Sequence, residues 1–228
     1  MVCLHGFADT WRTWELVLPA LERRHDVLAP TLAGHAGGPR IAGAVTDATL
    51  ADAVERAMDE AGFELAHLVG NSLGGYVALQ LAARGRARTV VALAPAGGWA
   101  RGDDSYKDTL AMQSAMLEEL REIAPHAAAT ELLAHQILGA AISAPTGRAL
   151  IDHALRVGWH VDAERITCPV RVVWGTDDRL LPWPAAAARY RRDWLPHADW
   201  VVLEGVGHSP QLEVPLETGE LILGFTAS

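Results

Sequence analysis

Short, unbroken apolar runs bounded by turn residues constrain the fold of this chain more than any other feature: Val2–Leu4, Val27–Ala29, Ala66–Val69, Val90–Leu93, Val170–Trp174 and Trp200–Leu203. A strand with one wet face alternates apolar and polar residues. A run without alternation suits a parallel sheet covered on both faces. Helical patterns stand between the runs, at Thr13–Arg24, Leu50–Ala61, Leu73–Arg84, Pro184–Trp194 and Leu216–Thr226. Alternating strands and helices build parallel sheets with right-handed crossovers. The expectation is an α/β fold, with a mostly parallel sheet of about six strands and helices on both faces. Thr49 followed by Asp52 reads as a capping box, Pro184 and Pro215 suit first helical turns, and Gly62 and Gly85 fall where helices should stop.

The alternation fails over residues 101–165. Three helical stretches follow one another there, Ser105–Ile123, Ala127–Leu138 and Thr146–Val157, so a helical lid is expected, inserted in a single domain spanning 1–228. A lid over a substrate pocket needs apolar surface facing inward. Trp99 and Trp159 flank the insertion, and Met112, Met116, Leu117, Leu138 and Ile142 lie within it as candidate pocket residues, with helix packing as their competing role.

A net charge of −9 excludes the concentrated basic face that nucleic acids require, and Arg189, Arg191 and Arg192 read as the solvated side of a short helix. No apolar run approaches a bilayer's width, and the first residues lack the pattern of a secretory leader, so no membrane span is expected and the cytoplasm is the default location. The two cysteines, Cys3 and Cys168, sit at strand-like runs as buried thiols would. There is no H-E-x-x-H pair and no Cys-x-x-Cys, so neither a metal nor a cofactor is expected.

Four segments carry chemistry. Gly70-Asn71-Ser72-Leu73-Gly74 has a strand before it and a helix after it. A serine hydroxyl is a weak nucleophile until it is exposed, oriented and paired with a base, and a sharp strand-to-helix turn exposes it at the carboxyl edge of the sheet. Leu4-His5-Gly6-Phe7 follows the first strand. Acyl transfer creates an oxyanion that two preorganised N–H groups must meet, and the backbone amides of Phe7 and Leu73 are the candidates, with His5 as organiser of the loop. Asp177 and Asp178 follow the strand that ends at Gly175, and either carboxylate could orient a histidine. His208, in Gly205-Val206-Gly207-His208-Ser209, completes the order Ser, Asp, His; its ordinary pKa of about 6.5 suits proton transfer near neutrality.

Together these segments resemble the α/β-hydrolase family from residue 2 to about residue 217. The resemblance selects Asp178, which stands three residues beyond Gly175, and places Glu213 and Pro215 in the usual run from the histidine loop into the last helix. It also implies an antiparallel hairpin ahead of the first strand here. Without that hairpin, Val27–Ala29 would lie at a sheet edge open to pairing with a second copy of the chain, which makes a homodimer an expectation. Aspartate at the elbow marks the dehalogenase and epoxide-hydrolase branches; this chain has Ser72.

The implied activity is carboxylesterase chemistry on a small-molecule ester with a small or medium acyl group, through an acyl-enzyme on Ser72. A carbon–carbon hydrolase of ring-cleavage diketones competes, because Gly-Asn-Ser-Leu-Gly-Gly looks like that branch, although Gly6-Phe7-Ala8-Asp9 lacks its Gly-Pro-Gly. A lactonase or acyltransferase would use the same residues. A ligand-sensing receptor retaining Ser72, Asp178 and His208 is the reading from a different class.

Overall fold

The computed structural model describes residues 1–100, 102–123 and 131–227, with the side chains of 113, 116–123, 131–139 and 141 left out. In chain order the elements are β1 (Val2–Leu4), a 3-10 turn (Trp11–Trp14), α1 (Leu18–Leu21), α2 (Asp47–Glu60), β2 (Ala66–Asn71), α3 (Leu73–Ala83), β3 (Ala87–Leu93), α4 (Ser105–Ile123), α5 (Glu131–Val157), β4 (Val170–Gly175), β5 (Asp199–Leu203), α6 (Pro210–Glu213) and α7 (Pro215–Thr226). The five strands form one parallel sheet whose spatial order is the chain order.

The sheet has five strands where the sequence predicts about six. Val27–Ala29 contributes one bridge, Leu28 opposite Val2: Leu28 donates to Met1 O at 2.9 Å and Cys3 donates to Leu28 O at 2.9 Å. The ladder stops because the next residue but one is Pro30, which has no N–H to continue it. Within the sheet, Val2, Leu4, Leu68, Val90, Ala92, Val172 and Trp174 face a core shared with α2 and α3. Their alternates Cys3, Val69, Val91, Leu93 and Val173 face a second core with Trp14, Leu21 and Ile222. From β1 to β4 both faces are dry, which is why those strands read as apolar runs, whereas the edge strand β5 leaves Val202 exposed. Burial pushes the Cys3 thiol up to about 12, leaving it a packing residue.

Three helix expectations change. Thr13–Arg24 divides into the Trp11–Trp14 turn and α1, because Pro19 belongs in a first turn and the helix restarts around it. Pro184–Trp194 is a 3-10 turn at Ala185–Ala187 and a π-type turn at Tyr190–Trp194; between them the Arg189 amide donates to Gly98 O at 2.6 Å instead of along a helix. The cap of α2 is Thr46, one turn before Thr49, and its hydroxyl accepts the Thr49 amide at 3.1 Å.

In the inserted region α4 has the expected bounds, whereas α5 runs unbroken through Pro145. Pro145 removes one helical N–H, a local cost. It is offset by a buried stripe along one face of α5: Ala140, Ser143, Ala144, Leu150, Ile151 and Ala154. The helix predicted at 127–138 begins outside the described residues. No helix among the described residues is long and apolar enough to cross a membrane.

Candidate active site

The elbow is built by two close approaches. A Cβ at Gly70 would run into the backbone of Gly74, and a Cβ at Gly74 would run into Leu4 O and His5 O, so neither position admits a side chain. Between them Ser72 takes φ 54° and ψ −117°, a strained backbone for a non-glycine residue. Three main-chain bonds hold it there: its N–H donates to Leu93 O at 2.9 Å, and its carbonyl accepts from Tyr76 at 3.1 Å and from Ala96 at 3.1 Å. The result is a serine at the carboxyl end of β2 and the amino end of α3.

The loop after β1 lies against the elbow, where a Cβ on Gly6 would sit 3.4 Å from Ser72 Cβ. His5 organises it. The Leu32 amide donates to His5 Nε2 at 2.8 Å, so the ring proton must be on Nδ1, which donates to Gly6 O at 2.8 Å. Burial holds His5 well below its ordinary pKa and keeps it neutral, with His35 5.0 Å away adding to the effect. With Gly6 O turned to His5, the N–H of the same trans peptide, that of Phe7, points the opposite way. Among the described residues, neither the Phe7 nor the Leu73 amide donates to a protein acceptor.

Asp178 is buried and Asp177 exposed, which separates the two aspartates. One Asp178 oxygen accepts the Leu180 and Leu181 amides at 2.9 and 2.7 Å; the other lies 2.7 Å from His208 Nδ1. A carboxylate accepts only, so Nδ1 carries the proton and Nε2 is left as acceptor. The His208 loop is tied from below by Glu213, whose oxygens accept the amides of Gly207 at 2.8 Å and Ser209 at 3.1 Å. It is tied from the elbow side by Asn71, which donates to His208 O at 2.9 Å.

Ser72 stands between two cavities. One is lined by Phe7, Leu73, Ala96, Trp99, Leu110, Leu150, Ile151, Trp159 and Leu181, with Thr109 as its polar member beside Ser72. The other is the more polar of the two and includes Asp9, Asn71, His208 and Ser209 together with Gly6, Phe7 and Leu180. Among the described residues, neither lining contains a lysine or arginine. Burial raises the Asp9 carboxyl above its usual range, against the lowering effect of bonds from the Thr10 amide and the Thr13 side chain.

Residues 1–220 match the model of the alpha/beta hydrolase family. This chain belongs to that family. The hydrolase is 35% identical to epoxide hydrolase EphH of Mycobacterium tuberculosis over 79% of this chain and 95% of that one. It is 27% identical to 2-hydroxymuconate semialdehyde hydrolase of a Pseudomonas species, across 100% of this chain and 86% of the relative. The crystal structure of carboxylesterase CesB from Bacillus subtilis superposes with a TM-score of 0.78 at 22% identity, covering 99% of this chain and 82% of that chain; at such identity the likeness speaks for the fold. Relatives with different chemistry share the architecture, so the reaction must be argued from the site.

Of the pocket residues expected in the hydrolase from sequence, Trp99 and Trp159 line the apolar cavity. Met112 and Ile142 do not: they are exposed on the outer faces of α4 and α5. Met112 is two residues from Leu110, or about 200° around a helix, and Leu110 is the one turned inward. Met116, Leu117 and Leu138 lie outside the described side chains. Sequence reasoning missed Thr109, Leu110, Leu150, Ile151 and Leu181. Leu150 and Ile151 were findable, since they continue the inward stripe of small residues at 140, 143 and 144.

Proposed function

We propose that the hydrolase is a carboxylesterase acting on uncharged esters with an apolar acyl group of small or medium size. The observation that carries this reading is the position of Ser72, at the junction of an apolar and a polar cavity, with His208 in the polar one. A histidine that takes the serine proton and returns it to the leaving oxygen must stand on the leaving-group side. The polar cavity then receives alcohol or water, and the apolar cavity receives the acyl chain.

In the proposed cycle Ser72 Oγ attacks the ester carbonyl as its proton passes to His208 Nε2. The amides of Phe7 and Leu73 meet the oxyanion. Collapse expels the alcohol, which leaves with that proton, and water deprotonated by His208 then releases the acid. Asp178 holds the ring in the required tautomer and stabilises the imidazolium. An epoxide opened by Ser72 would instead give a serine ether, which has no carbonyl for water to attack and would not turn over. Among the described residues, a substrate carrying a carboxylate meets no lysine or arginine in either cavity, which weighs against acidic diketones.

The test is a p-nitrophenyl ester series of rising acyl length, with p-nitrophenyl butyrate set against the hemiglutarate, which carries a terminal carboxylate. The expected outcome is turnover that rises and then falls with chain length, at least about 100-fold in favour of the neutral ester, and that vanishes in Ser72→Ala. A folded wild type no more active than Ser72→Ala would end the esterase reading.

A further inference from the structure

The side chain just before the nucleophile has a task the proposed cycle does not assign. Asn71 is 2% exposed, and its amide nitrogen donates to Leu93 O at 3.3 Å and to His208 O at 2.9 Å. Both acceptors are carbonyls, which fixes the orientation of the amide and leaves its oxygen as acceptor. That oxygen takes a bond from Gln211 Nε2 at 3.1 Å, and the same nitrogen donates to Thr13 Oγ1 at 3.0 Å. The Thr13 side chain in turn lies beside the Asp9 carboxyl, on which it has a lowering effect. Each bond from Asn71 through Gln211 to Thr13 has one possible direction. The chain therefore runs from Asp9, on the loop that bears Phe7, through Thr13 and Gln211 to Asn71 and the main chain of His208.

We propose that Asn71 is a positioning residue: by clamping the His208 carbonyl to the elbow, it sets the height of the imidazole over Ser72, and the Gln211–Thr13–Asp9 chain keeps that setting in register with the oxyanion loop. The proposal rests on the reading of Ser72, His208 and Asp178 as the reacting set. His208 follows Gly205 and Gly207, so its loop is soft and its position comes from outside ties. Asp178 orients the ring and Glu213 holds the flanking amides, but the bond from Asn71 is the one that joins the histidine backbone directly to the nucleophile's own turn. Gln211 is fully buried and leaves its carbonyl oxygen without a partner among the described residues. An apolar residue would fill that space without an orphaned oxygen, whereas the amide supplies the two donors that Asn71 and Thr13 need.

The test uses Asn71→Asp, which keeps the shape and removes both donated bonds, and Gln211→Met, which removes the anchor and leaves Asn71 in place. Three readouts are taken with thermal melts: kcat and KM on the best p-nitrophenyl ester, the rate at which a fluorophosphonate labels Ser72, and the low-field imidazole N–H resonance of His208 as pH is varied. The expected result for Asn71→Asp is a 10- to 100-fold fall in kcat and in labelling rate, KM within about twofold, and a shifted or broadened resonance. Gln211→Met should move the same quantities in the same direction by less. Folded variants with wild-type kcat, labelling and resonance would overturn the proposal, as would a rise in KM alone, which would make Asn71 a pocket residue. Should Asn71→Asp not fold, the Gln211→Met results decide. A wild type that neither labels nor hydrolyses would sink the esterase reading, while the resonance would still decide whether Asn71 positions His208.

Discussion

At the scale of single residues, the two adjacent aspartates give the sharpest contrast in the molecule. Asp178 is buried with both oxygens engaged, one by two backbone amides and one by His208. Asp177 is exposed; its side chain accepts from the neighbouring Thr176 hydroxyl at 3.2 Å, and its own amide donates to Val206 O at 3.0 Å. Asp178→Asn would present an amide where an acceptor is needed and favour the wrong tautomer of His208. The expected loss in kcat is about 10⁴-fold, the size seen when such a carboxylate is replaced in serine hydrolases. Asp177→Asn keeps the backbone bond and most of the side-chain contact, so its kcat should stay within about threefold of wild type. Steady-state kinetics on one p-nitrophenyl ester checks both.

At the scale of elements, the end of the inserted region is fastened to the core around the Tyr76 hydroxyl, with Gln80 donating to His160 O at 2.8 Å and Arg189 to Trp159 O at 3.0 Å beside it. Tyr76, on α3, lies 2.7 Å from both Asp47 Oδ2 and His160 O, and accepts from Gln80 at 2.8 Å and from the His160 amide at 3.2 Å. His153 Nε2 approaches the other Asp47 oxygen at 3.3 Å, so α5 and the segment after it converge on the first turn of α2. Tyr76→Phe keeps the ring, and with it the edge-on contact with Trp159 at 4.8 Å, while removing every bond of the hydroxyl and leaving Gln80 to hold Asp47 and His160 O. The expected cost is about 1–3 kcal/mol, or several degrees in Tm. Trp159 lines the apolar cavity, so KM for the longest acyl chains should rise more than KM for acetate. Thermal melts and KM across the ester series measure the two effects.

The same elements show what was legible in the sequence. Strands buried on both faces announce themselves by composition, and the elbow is legible because close approach at Gly70 and Gly74 leaves glycine as the only choice. The inserted helices were harder to read. The sequence divides one helix ending at Leu138 from another starting at Thr146, but burial along one face of α5 outweighs the single N–H missing at Pro145. Apolar character alone could not separate Met112 from Leu110, because helix phase decides which of them faces the cavity, and phase depends on how α4 packs along α5. The cap moved from Thr49 to Thr46 for a similar reason: Asp47 is drawn into the Tyr76 network, which brings one more turn into α2.

At the scale of the whole molecule, the junction between the sheet and the inserted helices contains a buried pair of neutral histidines. His5 is fully buried and His35 is 3% exposed, and their rings meet edge to face at 5.0 Å. Beside them the Ala36 amide donates to Ser143 Oγ on α5 at 3.0 Å, so this loop is also where α5 rests on the core. Burial lowers the His35 pKa to about 4, and its Nε2 has no partner among the described residues. In the unfolded chain the same ring titrates near 6.5. Between those values the unfolded state binds the proton and the folded state does not, so stability is complete above pH 6.5 and declines as the pH falls toward 4. His35 alone should account for about 2 kcal/mol of the loss between pH 7 and pH 5, and His5, held well below its ordinary pKa, should add to it. His35→Leu removes the titrating group and the unpaired nitrogen together, and leaves His5 to titrate. Urea unfolding at pH 7 and pH 5 should show the gap between the two pH values narrowing by about 2 kcal/mol in the variant. An unchanged gap would mean that His35 is protonated in the folded state and that the acid sensitivity of this junction comes from elsewhere.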